Sequence, residues 1–381
     1  MAGEPTYDVV VALNYYAPYV SGVTEAARVA AEELVARGGR VLVVAGRHDA
    51  TVPARERIRG VDVLRTPVAL RVGKGIVSPT YVPTVVRHAR RARVLHLHLP
   101  MLEAGPVVAA VRGAVPVVVT YQCDVTLPPG ALNAAQTWAL DRSHAVALRR
   151  ADAVCVTSED YARSSRLWSA MAGRTVTVRA PALERTGGRP AFRDGDGPHV
   201  GFLGRIVEEK GLEHLVRAFR TLGPDARLLI GGDFRKVAGG SVVERVRAAI
   251  GEDPRVRLLG FLDDDRLPDL YASLDVFALP SVNSLEAFGI VQVEAMMAGV
   301  PVVASDLPGV RMPVRHTGFG RVVAPRDEPG LAAAIEDLVA HPPDRARGAE
   351  QARARYGLDE VVAAHVRVFE RVTHGWRPPG A

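Results

Sequence analysis

The sequence predicts an α/β protein made of two Rossmann-like domains, each a parallel sheet with helices on its faces. Three observations carry that prediction. At 381 residues the chain exceeds the usual single domain. Short apolar runs of β character alternate throughout with Ala- and Arg-rich helical stretches, the pattern of stacked βαβ units. Near the middle, PALERTGGRPAFRDGDGP (181–198) loses all periodicity and fills with Gly, Pro and charge, as a linker does.

Taken in order, strands are expected at Asp8–Leu13, Arg40–Ala45, Val61–Leu64, Val94–Leu97, Val115–Thr120 and Ala153–Val156 in a first domain, residues 1–185. A second domain, residues 198–358, opens on the strand His199–Leu203. It continues through Leu228–Ile230, Val256–Leu259, Val276–Leu279 and Pro301–Ala304. Residues 359–381 form a last, amphipathic helix. Sheets of this kind bind ligands beyond the carboxyl ends of their strands, which places the expected site in the cleft between the domains.

Composition narrows the function classes. Residues 1–190 carry 24 Lys plus Arg against 15 Asp plus Glu, about +9, whereas residues 191–381 carry 24 against 27, about −3. A basic first half suits an anionic partner such as a phospholipid surface or a phosphorylated acceptor. No aromatic and basic interleaving, zinc-finger spacing or RNP-like run occurs, so nucleic acid is not an expected partner. Two cysteines, Cys123 and Cys155, make neither a disulfide framework nor a multi-cysteine zinc site and suit a reducing cytosol. The N-terminus MAGEPTYDVVVALNYY has no basic n-region or long apolar core, and no run of about 18 apolar residues occurs anywhere. The expected location is cytoplasmic, with peripheral contact at the inner membrane face through the basic domain.

The most informative segment is Ser281–Asp306, SVNSLEAFGIVQVEAMMAGVPVVASD. Ile290, Val291, Val293, Met296 and Met297 cover nearly the whole circumference of a helix beginning near Gly289, so that helix should be packed on most sides. A buried Glu294 then needs partners, and a ligand diol donating two hydrogen bonds is one remedy. Glu286 sits ahead of the same helix, about 12 Å away on a rise of roughly 1.5 Å per residue. Between the two acids lie the N–H groups of Phe288, Gly289 and Ile290, where a helix N-terminus favours anionic oxygen.

A second motif follows the strand HVGFL: Gly204-Arg205-Ile206-Val207-Glu208-Glu209-Lys210-Gly211, leading into LEHLVRAF. Glycines at both ends of a strand-to-helix turn let the backbone approach a pyrophosphate, and Arg205 and Lys210 add two positive charges. Lys210 is one of three lysines in the chain. The spacing is neither a Walker A loop nor GxGxxG. The turn after the first strand, LNYYAPYVSG, lacks the dinucleotide glycine pattern, which disfavours a nicotinamide enzyme.

Glu-x7-Glu enclosing Phe288-Gly289, followed by EAMMAGVPVVASD and joined to GRxxxxKG, resembles the retaining glycosyltransferases of the two-domain GT-B fold, family 4 (glycosyl transferases group 1). The resemblance implies a nucleotide sugar lying along one helix end. Glu294 would hold the ribose hydroxyls of the donor and Glu286 its sugar. Arg205 and Lys210 would stabilise the leaving nucleoside diphosphate in place of a metal ion, so no metal or other cofactor is expected. It also implies that the last helix crosses back onto the first domain, and that a hexosyl unit passes from a UDP- or GDP-linked sugar to an acceptor saccharide, lipid or small natural product with its configuration retained. A nucleotide-sugar epimerase of the same fold is the alternative, and a nucleotide-sugar binding protein without turnover a third.

Two positions depart from the family pattern. Ser21-Gly22 stands where the family has a Gly-Gly pair, leaving Gly22 as the close approach to donor phosphate. In VPVVVTYQCDV, Gln122 occupies the place usually held by His near the reacting sugar. It can hydrogen-bond a hydroxyl but cannot titrate near neutral pH. Asp124 is the nearby carboxylate expected to orient the acceptor. Asp263, Asp264 and Asp265 read as an N-cap with acidic first-turn residues rather than a metal site. His96 and His98 alternate on one strand with no third ligand in sequence reach, and Arg87, Arg90, Arg91 and Arg93 form a basic face.

Overall fold

The computed structural model describes residues 6–72, 75–232 and 242–380. The chain divides into two compact units: residues 1–181 with 359–381, and residues 182–358. Among the described residues no helix is long and apolar enough to cross a membrane.

Unit 1 contains β1 (Tyr7–Ala12), α1 (Gly22–Ala36), β2 (Val41–Gly46), β3 (Arg55–Ile58), β4 (Val61–Thr66), β5 (Leu70–Val72) and β6 (Gly75–Val77). It continues with α2 (Tyr81–Ala89), β7 (Ala92–Leu99), α3 (Ala104–Val111), β8 (Val117–Tyr121), α4 (Ala131–Arg150), β9 (Ala153–Val156), α5 (Glu159–Ser164), α6 (Trp168–Met171) and β10 (Thr175–Thr177). Eight strands form one sheet in the order β10-β9-β8-β7-β1-β2-β4-β3, parallel except for the β3–β4 pair. β5 and β6 make a separate antiparallel hairpin. Every residue of β2 is buried, as expected for a strand covered on both faces. The C-terminal helix, Leu358–Val372, packs its His365 and Phe369 rings 5.6 and 5.5 Å from the ring of His96 on β7.

Unit 2 contains β11 (His199–Leu203), α7 (Leu212–Phe219), β12 (Arg227–Gly231), α8 (Val243–Ile250), β13 (Val256–Gly260), α9 (Leu267–Ala272) and β14 (Val276–Leu279). After these come α10 (Ile290–Met297), β15 (Val302–Ser305), α11 (Met312–Thr317), β16 (Gly320–Val323), α12 (Glu328–Ala340) and α13 (Arg345–Tyr356). Its six parallel strands run β13-β12-β11-β14-β15-β16. The order reverses between β11 and β14, and that switch point is where such a sheet opens a crevice beyond its strand ends. The core on one side of this sheet joins Val200, Phe202, Leu215, Phe219, Leu228 and Ile230, all essentially inaccessible. Burying each contributes on the order of 1.5–3 kcal/mol.

The structure adds strands that the apolar runs did not show. β3, RERI, is an edge strand with alternating exposed and half-buried residues, so it has no apolar run to find. β5, β6 and β10 have three residues each, and β16 opens on Gly320. Residues 182–198 carry no helix or strand, yet they pack on unit 2: Phe192 is buried and Arg193 Nη1 lies 2.9 Å from Asp275 Oδ2.

Candidate active site

The two motifs of unit 2 follow the two strands that flank the switch point. After β11 the chain turns at Gly204, whose N–H donates to Gly231 O at 3.0 Å. Ile206 and Val207 drop into the core at 1% exposure, which anchors the turn and leaves its charged residues outside. Glu208–Lys210 make a single 3-10 turn, and Gly211, at φ +64°, reverses the chain into α7. A Cβ at Gly211 would lie 2.1 Å from Pro280 O, so only glycine allows this approach to the end of β14. Val282 N–H donates to Glu209 O at 2.9 Å and fixes the two loops together.

That contact brings the motif residues into one place. The Lys210 ammonium touches the Glu286 carboxylate, with side chains 14% and 13% exposed. Arg205 Nη2 lies 3.4 Å from Glu209 Oε1, and its side chain is 41% exposed. Glu286 sits in the turn before α10 rather than on its axis, so the spacing expected from helical rise does not apply.

Helix α10 begins as the sequence indicates. Gly289, at φ +78°, precedes it, and an added Cβ would lie 2.3 Å from Leu279 Cδ2. No side chain caps this end, so the first backbone N–H groups of α10 have no side-chain cap partner. Gln292 through Met297 are all buried, which packs the helix on most sides as expected, while Ile290 and Val291 in its first turn are half-buried. Gln292 is a fully buried polar side chain of this helix, and its Nε2 donates to Val310 O at 2.9 Å and to Phe288 O.

Glu294 is 6% exposed and has protein partners that the sequence did not reveal. Tyr271 Oη donates to its Oε2 at 3.2 Å, and Arg185 Nε lies 3.6 Å from its Oε1. Burial pushes the carboxyl above the usual range, while Arg185, the Tyr271 hydroxyl and the Leu183 amide pull it back. Tyr271 is wholly buried, and its phenol is raised well above normal by burial and by the Glu294 charge. Asp264, read as a helix cap, takes Arg185 Nη2 at 3.2 Å instead, because α9 starts at Leu267 with Arg266 at its cap position. Among the described residues no group of three or more His, Cys, Asp or Glu is placed to hold a metal ion.

In unit 1, Gly22 is the first residue of α1, after a Ser21 cap completed by Thr24. It is exposed, and a Cβ there would meet nothing within 4 Å. Gln122 is half-buried just beyond β8. Asp124, expected to orient the acceptor, has partners within unit 1. It is buried, its Oδ1 accepts from Ser165 Oγ at 3.0 Å and from Tyr121 Oη, and its N–H donates to Tyr161 Oη at 2.9 Å. Such a carboxylate holds the loop after β8. The His96–His98 pair gains a third ring, His365, contributed by the C-terminal helix and invisible to local spacing.

Two family models match the chain: the "Glycosyl transferase 4-like domain" over residues 21–181 and "Glycosyl transferases group 1" over residues 189–355. The 2-deoxystreptamine glucosyltransferase of Streptomyces kanamyceticus is 29% identical over 307 residues, 74% of this chain and 78% of that protein. The D-inositol 3-phosphate glycosyltransferase of Xylanimonas cellulosilytica is 30% identical over 303 residues, 74% of this chain and 72% of that one. Among solved structures, the sucrose-phosphate synthase of Thermosynechococcus elongatus superposes with a TM-score of 0.79 at 22% identity, covering 97% of this chain and 99% of that one. These comparisons lend no support to the epimerase alternative.

Proposed function

The chain is a GT-B glycosyltransferase of the group 1 family, and from that premise we propose that it moves a hexosyl unit from a UDP- or GDP-linked sugar to an acceptor hydroxyl with retained configuration and without a metal ion. The observation that carries the reading is the meeting of Lys210 with Glu286 beside an uncapped helix end at the switch point of unit 2. The diphosphate would lie against the amides of Gly289 and Ile290, within reach of Lys210 and Arg205. Glu294 would accept the ribose hydroxyls, and Glu286, once Lys210 turns to phosphate, would accept from a sugar hydroxyl.

The acceptor oxygen attacks the anomeric carbon as the bond from that carbon to the β-phosphate oxygen breaks. The departing phosphate oxygen takes the acceptor's proton on the same face, so no enzymic base is required, and Gln122, which cannot titrate, suits that route. Charge gathers on the β-phosphate as the bond breaks, and Lys210, Arg205 and the helix amides would stabilise it there. Removing one such donor costs on the order of 3 kcal/mol. The two relatives are named for a 2-deoxystreptamine and an inositol phosphate, and the acceptor proposed here is likewise a polyhydroxylated small molecule of cyclitol or saccharide type.

The test is incubation of the protein with UDP- and GDP-sugars and cyclitol acceptors, with and without EDTA, followed by NMR of the glycosidic product. An α-linked donor should give an α-linked product at an unchanged rate in EDTA. An inverted anomeric centre or loss of activity on chelation would overturn the corresponding part of the reading.

A further inference from the structure

The segment that opens unit 2, residues 182–198, has no helix or strand, yet its first residues converge on one buried carboxylate. Burial raises the Glu294 carboxyl on α10, and two groups of this segment, the Arg185 guanidinium and the Leu183 N–H, draw it back. Glu184, between them, lies 3.6 Å from Arg353 Nε of α13, and Arg353 Nη2 donates to Met297 O at the end of α10 at 3.2 Å. Further on, the Arg189 N–H donates to Asp269 Oδ1 of α9 at 2.9 Å, and a Cβ at Gly188 would lie 2.1 Å from Pro268 O. The backbone on either side of Arg185 is therefore fastened to the helices of unit 2.

Arg185 is divided between two acids. Its side chain is 14% exposed and its Nη2 lies 3.2 Å from Asp264 Oδ1, but the Asp264 side chain is 76% exposed. A pair with so exposed an acid contributes little. It does not account for burying a guanidinium, which is costly unless a buried charge answers it. Glu294, its side chain 8% exposed, is that charge. Arg185 Nε nevertheless stands 3.6 Å from Glu294 Oε1, beyond hydrogen-bond length, and has no hydrogen-bond partner among the described residues. The guanidinium thus supplies counter-charge without occupying the lone pairs of Oε1, while Tyr271 Oη donates to the other oxygen, Oε2, at 3.2 Å. Apolar side chains in place of a buried ion pair are often neutral or stabilising, so stability alone does not explain this one.

We infer that Arg185 is a positioning residue for the donor's ribose: its guanidinium anchors the Glu294 carboxylate with Oε1 open to the 2′- and 3′-hydroxyls. The inference rests on the reading of Glu294 as the ribose acceptor and adds the residue through which that carboxylate is held. A buried carboxyl without its counter-charge takes up a proton, and the neutral acid loses the charge-assisted bonds that a diol donates to the ion. Arg185 therefore acts on ribose through Glu294 and not by touching the nucleotide.

Calorimetric titration of the whole protein with UDP and GDP, each beside its 2′,3′-dideoxy analogue, tests it. The unaltered protein should bind the diphosphate it accepts at least about tenfold more tightly than the dideoxy analogue, which lacks the hydroxyls that donate to a charged group. Arg185→Ala should erase most of that preference, weakening the ribonucleotide by about tenfold and the dideoxy analogue by less than about twofold. Arg185→Gln, which keeps a polar side chain but no charge, should behave in the same way, and Arg185→Lys should restore part of the preference. In a Glu294→Gln background Arg185→Ala should change neither affinity further, because one residue acts through the other. A full preference retained in Arg185→Ala and Arg185→Gln, equal weakening of both ligands, or effects that add across Arg185→Ala and Glu294→Gln would overturn the inference and leave Glu294 in its role. No preference for ribose in the unaltered protein, or no binding of either diphosphate, would instead overturn the reading of Glu294, and the inference with it.

Discussion

The Lys210 ammonium and the Glu286 carboxylate meet across 76 residues of sequence, and each serves as the other's counter-ion. Two loops that follow different strands are thereby joined at one edge of the unit 2 sheet. If Lys210 also stabilises the departing diphosphate, Lys210→Ala should fold and lower kcat by about 10²-fold, measured at saturating donor. Turnover close to that of the unaltered protein would remove Lys210 from the reaction.

Glu294 opposes stability to binding. Its folded pKa is raised by burial, so the folded state holds the proton more tightly than the unfolded chain, and stability falls as pH rises from the usual carboxylate range through the raised value. At pH 7.5 Glu294→Gln should therefore melt no lower than the parent protein. Its affinity for a nucleoside diphosphate should fall by about tenfold or more, the loss of a charge-assisted hydrogen bond to ribose. Calorimetry measures both, and a variant that melts lower yet binds equally well would invert the assignment.

His98 and His365 are held down to about 3 and about 4 by burial, and His96 well below its normal value for the same reason. Bases with depressed folded pKa values contribute fully above about 6.5, and that contribution is lost as pH falls below it. By pH 5 the His365 share alone should be about 2 kcal/mol. His365→Phe should flatten the acid limb of a urea-midpoint titration between pH 7 and 5, and an unchanged acid limb would show that the ring titrates freely.

Two glycines at the turns should respond oppositely to alanine. Gly211→Ala forces a Cβ against Pro280 O at a positive φ and should cost at least about 1–3 kcal/mol in denaturant unfolding. Gly22→Ala meets nothing and should leave stability within about 0.5 kcal/mol. A fall in kcat/KM with that stability intact would assign the loop before α1 to donor phosphate.

Much of the unit 2 site was legible because its information is local. Glycines at fixed offsets, one of the chain's few lysines and a mostly apolar helix each report on a turn or helix a few residues long. What stayed hidden depends on tertiary contact. Tyr271 and Arg185 reach Glu294 from elements with no pattern pointing to it, and His365 joins His96 from the far end of the chain. Asp124 looked like a loop acid beside a strand end, and only the fold shows Ser165, Tyr121 and Tyr161 closing around it. The acidic triplet 263–265 missed capping α9 because that helix starts at Leu267, after a turn that no propensity places.

The central claim is that the Lys210 turn and the α10 end together grip a nucleoside diphosphate, and ligand-induced thermal stabilisation measures this most directly. At about 100 times its dissociation constant, UDP or GDP should stabilise the unaltered protein by about 2.7 kcal/mol, and Lys210→Ala and Glu294→Gln should each lose most of that gain. No shift with any nucleoside diphosphate, or equal shifts in all three proteins, would contradict the account.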